Sequence, residues 1–140
     1  MYKLMCLLLL ANSAIAAPPM PIEANHPILG TWVLPIANGK CLETYYFRAD
    51  GSTLVTSAEE VAETAVEISP KPSRRGFYRW IDKLVKDNGK KDCSGKISKV
   101  GTESTSFIRF LDSGEKFVVC QDESLEACFG PLLRVHGQDS

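Results

Sequence analysis

The chain has 140 residues, with 16 Lys and Arg against 17 Asp and Glu and a formal charge of −1. That balance leaves no basic excess to argue for nucleic acid or an anionic membrane surface as a partner. The length confines the fold to one domain with one modest core.

The first element is MYKLMCLLLLANSAIAAPPM. Lys3 gives a short positive start, and Leu4 to Ala11 form an apolar block too short to span a bilayer. Ala14-Ile15-Ala16 then supplies the small-x-small pattern of a signal-peptidase site. Residues 1–16 are expected to be a signal peptide, since cleavage one residue later would leave Pro18 at the front. Cys6 precedes most of the apolar block and leaves with it. The mature chain keeps 124 residues, 15 basic and 17 acidic, and no later segment is apolar enough for membrane insertion. Its expected location is the periplasm or the medium.

Residues 17–27, rich in proline (PPMPIEANHP) and without periodicity, are expected to be a flexible arm. Residues 28–136 form the single folded domain and 137–140 a tail. Turn signals arrive at the short spacing of an all-β domain. Asn38-Gly39 and Asp50-Gly51 suit type I′ hairpins, because both residue types tolerate positive φ. Ser113-Gly114 is a third turn, while SPKPSRRG and KDNGKKDCSGK form longer loops.

Strand-like runs lie between these breaks: Thr31 to Ile36, Lys40 to Arg48, Ser52 to Ser57, Gly76 to Lys86, Thr105 to Leu111, Glu115 to Cys120 and Cys128 to Val135. They are rich in β-branched and aromatic residues. Pro131 lacks an N–H and demands an edge, a bulge or a gap in its ladder. The segment SAEEVAETAVEIS, 57–69, is two-sided. Ser57 and Glu60 could form a helix capping box, but Ala62, Thr64, Val66 and Ile68 recur with a period of two. A strand here makes eight, and an even number closes an up-and-down antiparallel meander into a small barrel.

Four cysteines survive processing: Cys41, Cys93, Cys120 and Cys128. An even count in an exported domain reads as two disulfides, and no C-x-x-C spacing suggests a metal site. Three connectivities are open. Followed strand by strand, the meander brings all four toward one rim. There Cys120 with Cys128 would staple one loop, and Cys41 with Cys93 would cross between strands.

Gly30-Thr31-Trp32 near the mature start, with Arg134 near the end of the last strand, resembles the lipocalins and related calycin barrels. The resemblance implies a barrel with Trp32 at its base and Arg134 packed over the indole, a favourable cation–π contact. It also implies a small ligand entering at the opposite, open end. Where that family carries T-D-Y, this chain has Leu111-Asp112-Ser113-Gly114. Segments such as CLETYYFRADGS, KDNGKKDCSG and CQDESLEACFGP are also similar to those of small exported bacterial proteins, which implies a periplasmic setting and supplies no activity.

A catalytic constellation is not expected. His26 lies in the arm and His136 at the tail, where neither can be oriented against a nucleophile. Glu59-Glu60 and Asp122-Glu123 fall in turns or loops, and no phosphate-binding, dinucleotide-binding or H-E-x-x-H motif occurs. The expected role is non-catalytic binding without a cofactor, by a monomer. A small apolar or amphipathic ligand would need a pocket lined by Leu42, Val66, Ile68, Ile108 or Phe117. The alternative is a protein partner held by the acidic loop between Cys120 and Cys128, with Asp122, Glu123 and Glu126 as contacts. Tyr45-Tyr46-Phe47, Phe77-Tyr78 and Trp80, near Arg74, Arg75 and Arg79, are expected mostly as core.

Overall fold

The computed structural model describes residues 19–137. The expected signal peptide, residues 17 and 18 of the arm, and the last three of the tail lie outside the described residues. Period-two alternation yields eight strands: β1 (Gly30–Ile36), β2 (Cys41–Phe47), β3 (Ser52–Ser57), β4 (Glu60–Ile68), β5 (Tyr78–Asp87), β6 (Glu103–Leu111), β7 (Lys116–Cys120) and β8 (Cys128–Arg134). Each pairs antiparallel with the next, and β8 returns to β1 to close the barrel. The up-and-down all-β architecture expected from the sequence is the one observed.

The segment of mixed character is strand β4. Its Glu60, Ala62, Thr64 and Val66 are buried in alternation, and Ser57 gives its hydroxyl to Glu43 rather than to a helix end. Burying one face of a nine-residue strand outweighs a local cap. Turn chemistry was less faithful to expectation. The Asn38-Gly39 connection spans Ala37 to Lys40, with positive φ at Ala37, Asn38 and Gly39. The tight two-residue hairpin lies instead at Ala58-Glu59, between the paired Ser57 and Glu60.

The lower half of the barrel is solid. Trp32, Phe47, Ile108, Phe117 and Leu132 are all but inaccessible, and their rings meet edge to face, Trp32 with Phe117 at 4.7 Å and Phe47 with Trp80 at 5.5 Å. The expected mobile arm, from Pro19 on, is laid against this base. Ile22 donates its N–H to the Ala49 carbonyl at 2.8 Å. Ile22, His26 and Ile28 are buried. Proline composition suggested mobility, but three apolar or aromatic side chains in this stretch find a hydrophobic floor.

Both disulfides join hairpin ends away from that base: Cys41–Cys93 and Cys120–Cys128. The closure is uneven. β1 and β2 match along seven residue pairs, whereas β1 and β8 share only Trp32–Arg134 and Val33–Leu133. Pro131 sits above that short seam, where the β7–β8 register also shifts, so its missing N–H breaks no ladder there. No helix among the described residues is long and apolar enough to cross a membrane.

Candidate functional site

The apolar residues expected to line a pocket do not do so. Val66, Ile108 and Phe117 are packed into the solid lower core, Ile68 packs against it, and Leu42 is exposed on the outer face. The reason is volume: two tryptophans and several phenylalanines fill the narrow lower lumen.

The space lies higher and is polar. A cavity of about 300 Å³ is lined by Tyr45 from β2, Val55 from β3, Ala62 and Thr64 from β4, and Asp82 and Leu84 from β5. These positions alternate along their strands and face inward. Glu60 and Ser104 complete the wall, and Ser98, Lys99 and Thr102 of the β5–β6 loop form the lip. That loop is held over the mouth by the Cys41–Cys93 disulfide. The Cys93 N–H also donates to Ser57 Oγ at 2.9 Å, and Ser98 Oγ donates to Glu60 Oε2 at 2.5 Å.

Two carboxylates, Glu60 and Asp82, stand in the wall, with Glu43 and Asp87 on adjoining strand positions. Glu43 accepts from the Tyr45 phenol at 2.5 Å and from Ser57 Oγ at 2.9 Å. A register shift between Glu63 and Thr64 places Leu84 opposite Thr64 but Asp87 opposite Ala62. The extra residue turns Lys86 outward to solvent and Asp87 toward the lumen. A β-bulge thus swaps an inward lysine for an inward carboxylate. None of the three ion pairs among the described residues, Arg48–Glu63, Lys116–Asp112 and His136–Glu115, involves Glu43, Glu60, Asp82 or Asp87.

Titration follows from this geometry. Burial pushes the Asp82 carboxyl above the usual carboxylate range, partly opposed by the neighbouring Thr64 hydroxyl and Trp80 indole. Burial also raises Glu60. The Ser98 hydroxyl works against that rise, and the facing Asp87 carboxylate adds to it. The Tyr45 phenol is pushed far up by burial and then by Glu43, Asp82 and Glu60. Charge is expensive here because the carboxyls are buried and form no ion pair.

Four buried side-chain polar atoms among the described residues lack a hydrogen-bond partner: Thr53 Oγ1, Thr64 Oγ1, Trp80 Nε1 and Asp87 Oδ2. One of the four, Thr64, lines this cavity, and the others stand on neighbouring positions of the same strands. Thr53 is paired across the strands with Thr64, and Asp87 with Ala62. Thr64 and Trp80 stand beside Asp82 without closing a hydrogen bond of normal geometry to it. Buried polar atoms are nearly always paired, so the unpartnered Thr64 hydroxyl in the wall marks a site.

The residues singled out from the sequence are distributed differently. Arg134 packs over Trp32 with its guanidinium carbon 4.2 Å from the ring centroid, beside Gly30, whose φ of +107° favours glycine. This base is structural and remote in the fold from the cavity. Asp122, Glu123 and Glu126 lie on the exposed β7–β8 loop closed by Cys120–Cys128. Asp122 is turned back to accept the Ser124 N–H and hydroxyl, and the Glu123 carbonyl accepts from Arg75 at 3.2 Å. His136 is exposed beside Glu115, whereas His26 is buried in the base.

Glu43, Tyr45, Glu60, Thr64, Asp82 and Asp87 were not singled out as a set. One signal was present: Glu60 and Asp82 occupy the inward parity of strands whose other inward residues are mostly apolar, as in Trp80, Asp82, Leu84. Searches against protein-family models, curated proteins and solved structures gave no match. The architecture is consistent with a lipocalin-like barrel in general.

Proposed function

We propose that this chain is an exported, non-catalytic binding protein that holds a small amphipathic molecule in the upper lumen of its barrel. One observation carries the reading: the cavity joins apolar wall (Val55, Ala62, Leu84) to polar wall (Tyr45, Glu60, Thr64, Asp82), and one of its wall residues, Thr64, has a buried hydroxyl without a hydrogen-bond partner. Ligand sites are typically concave, partly apolar and furnished with a few convergent polar groups. Two disulfides suit an oxidising compartment outside the cytoplasm.

Native mass spectrometry on protein purified gently from its own host tests this reading. A stoichiometric small-molecule adduct is expected, lost on denaturation. A bare mass, less the four hydrogens of two disulfides, would count against it.

The second reading is a protein-binding module using the Cys120–Cys128 loop. Its support is the exposure of Leu125 and Phe129, each more than half accessible, among Asp122, Glu123 and Glu126. An apolar contact within an acidic, cross-linked loop is preorganised for a basic partner. Neutralising the three carboxylates together would abolish that partner's binding and leave the lumen untouched.

A further inference from the structure

Resting on the lumen as the binding site, we infer that the polar end of its ligand is an organic cation, a primary ammonium seated between Asp82, Glu60 and Thr64. The acceptors are already in place. Thr64 lines the cavity and is only 5 % exposed, and its buried hydroxyl, beside Asp82, has no hydrogen-bond partner of normal geometry. Asp82 forms no ion pair and has only the Thr64 hydroxyl and the Trp80 indole as polar neighbours, and Asp87 Oδ2, beside Glu60, is buried and unpartnered. An ammonium brings three N–H donors and no acceptor, matching a wall whose free groups are carboxylate and hydroxyl oxygens.

Charge selects among ligand classes. A carboxylate or phosphate ligand would enter a space already walled by Glu60 and Asp82, and like charges there repel. A neutral alcohol could use the hydroxyls but would leave the carboxylates uncompensated. An organic cation compensates them and lays its apolar part along Val55, Ala62 and Leu84. An inorganic cation suits the site less, because no three His, Cys, Asp or Glu side chains among the described residues are arranged to hold a metal. The chain's own cation at the lip, Lys99, lines the cavity but forms no ion pair; the ligand's ammonium fills the position that Lys99 leaves open.

The wall is also set up against its own stability. Desolvated carboxylates without partners destabilise a fold, and sites that must bind charge retain such groups. Replacing Asp82 by asparagine should therefore leave the fold at least as heat-stable while weakening binding. A purely structural carboxylate would behave the other way.

Calorimetric titration of the intact oxidised chain with n-hexylamine, n-hexanol and hexanoate at neutral pH decides the matter. Hexylamine is expected to bind about tenfold or more tightly than hexanol, and hexanoate not measurably. Asp82→Asn should lower hexylamine binding to the level of hexanol, without lowering the melting temperature and without changing hexanol binding. Ala62→Leu, which narrows the cavity, should weaken hexylamine and hexanol together. Equal binding of amine and alcohol, with Asp82→Asn indifferent and Ala62→Leu still weakening both, overturns the cation and keeps the lumen. Binding that ignores Ala62→Leu overturns the lumen itself, and the absence of any amine binding overturns the inference.

Discussion

Arg134 covers Trp32. Its guanidinium carbon stands 4.2 Å from the indole centroid, while its three nitrogens donate to the carbonyls of Gly114, Leu29 and Pro27. One side chain thus ties the last strand to the β6–β7 connection and to the segment that closes the base. Arg134→Ala removes the stacking and leaves three carbonyls without their donor, at a cost of about 3 kcal/mol. For a chain of this size that lowers the melting temperature by roughly 10 °C. Arg134→Lys should recover less than half, because a compact ammonium cannot span the three carbonyls and the ring together. A lysine variant melting with the parent would show that charge alone matters there.

The two disulfides should contribute unequally. Cys41–Cys93 closes a separation of 52 residues and Cys120–Cys128 one of 8. Constraining the unfolded chain over the longer span stabilises by about 4 kcal/mol, and over the shorter by about 2.5 kcal/mol. Paired serine replacements at each bridge, followed by urea titration, should show that order. Cys41–Cys93 also pins the loop whose Ser98 caps Glu60. Its removal should speed hydrogen exchange at residues 92–102, while loss of Cys120–Cys128 should not. Similar exchange in both variants would mean that the loop is held by its hydrogen bonds alone.

The eight strands were legible because half-buried strands write their burial with a period of two, as Ala62, Thr64, Val66 and Ile68 do even beside a capping-box pattern. The base was legible through Trp32 and Arg134, whose pairing depends only on the first and last strands meeting. The cavity was not. Glu43, Glu60 and Asp82 come together only when β2 to β5 pair in register and turn one face inward, and Asp87 faces inward through a bulge that ordinary alternation cannot foresee. The docked segment was missed for a related reason. Ile22, His26 and Ile28 follow no repeat, and their burial depends on a floor built by distant strands.

That docking can be tested at a glycine. Gly51 has φ +86°, and a Cβ there would stand 2.0 Å from the Met20 carbonyl oxygen. Gly39, at φ +80°, has nothing within 4 Å. Alanine at either position carries the left-handed strain of roughly 1 kcal/mol. Only Gly51→Ala must also push away the backbone around Met20, where Ile22 is hydrogen-bonded to Ala49. Gly51→Ala should therefore melt several degrees below Gly39→Ala and be cut faster by protease near residue 20. Equal melting and equal proteolysis would mean that the segment contributes nothing to the fold.

His26 makes the base sensitive to acid. Its Nδ1 accepts the Ile28 N–H at 3.1 Å, and its Nε2 donates to the Ser69 carbonyl at 3.0 Å. Those roles require the neutral ring with its proton on Nε2. The Ile28 carbonyl in turn accepts the Trp32 indole N–H at 2.7 Å, so the imidazole orders the residue that holds Trp32. The ring also meets Tyr78 edge to face, with centroids 4.9 Å apart. Burial lowers its pKa from the ordinary 6.5, and the Ser69 carbonyl and Glu23 only partly oppose the shift. Protonation would set a second donor against the Ile28 N–H. Because the unfolded chain binds this proton more readily than the fold, stability rises with pH across the interval between the two pKa values. The contribution is complete above pH 6.5 and is lost as pH falls from there through the lower folded value. The lumen carboxyls Asp82 and Glu60, whose pKa values are raised, act in the opposite sense. The measurement is therefore the difference in unfolding free energy between the parent and His26→Gln across that interval, in which the carboxyl contributions cancel. That difference should shrink on acidification. A difference independent of pH would mean that His26 holds the base by shape alone.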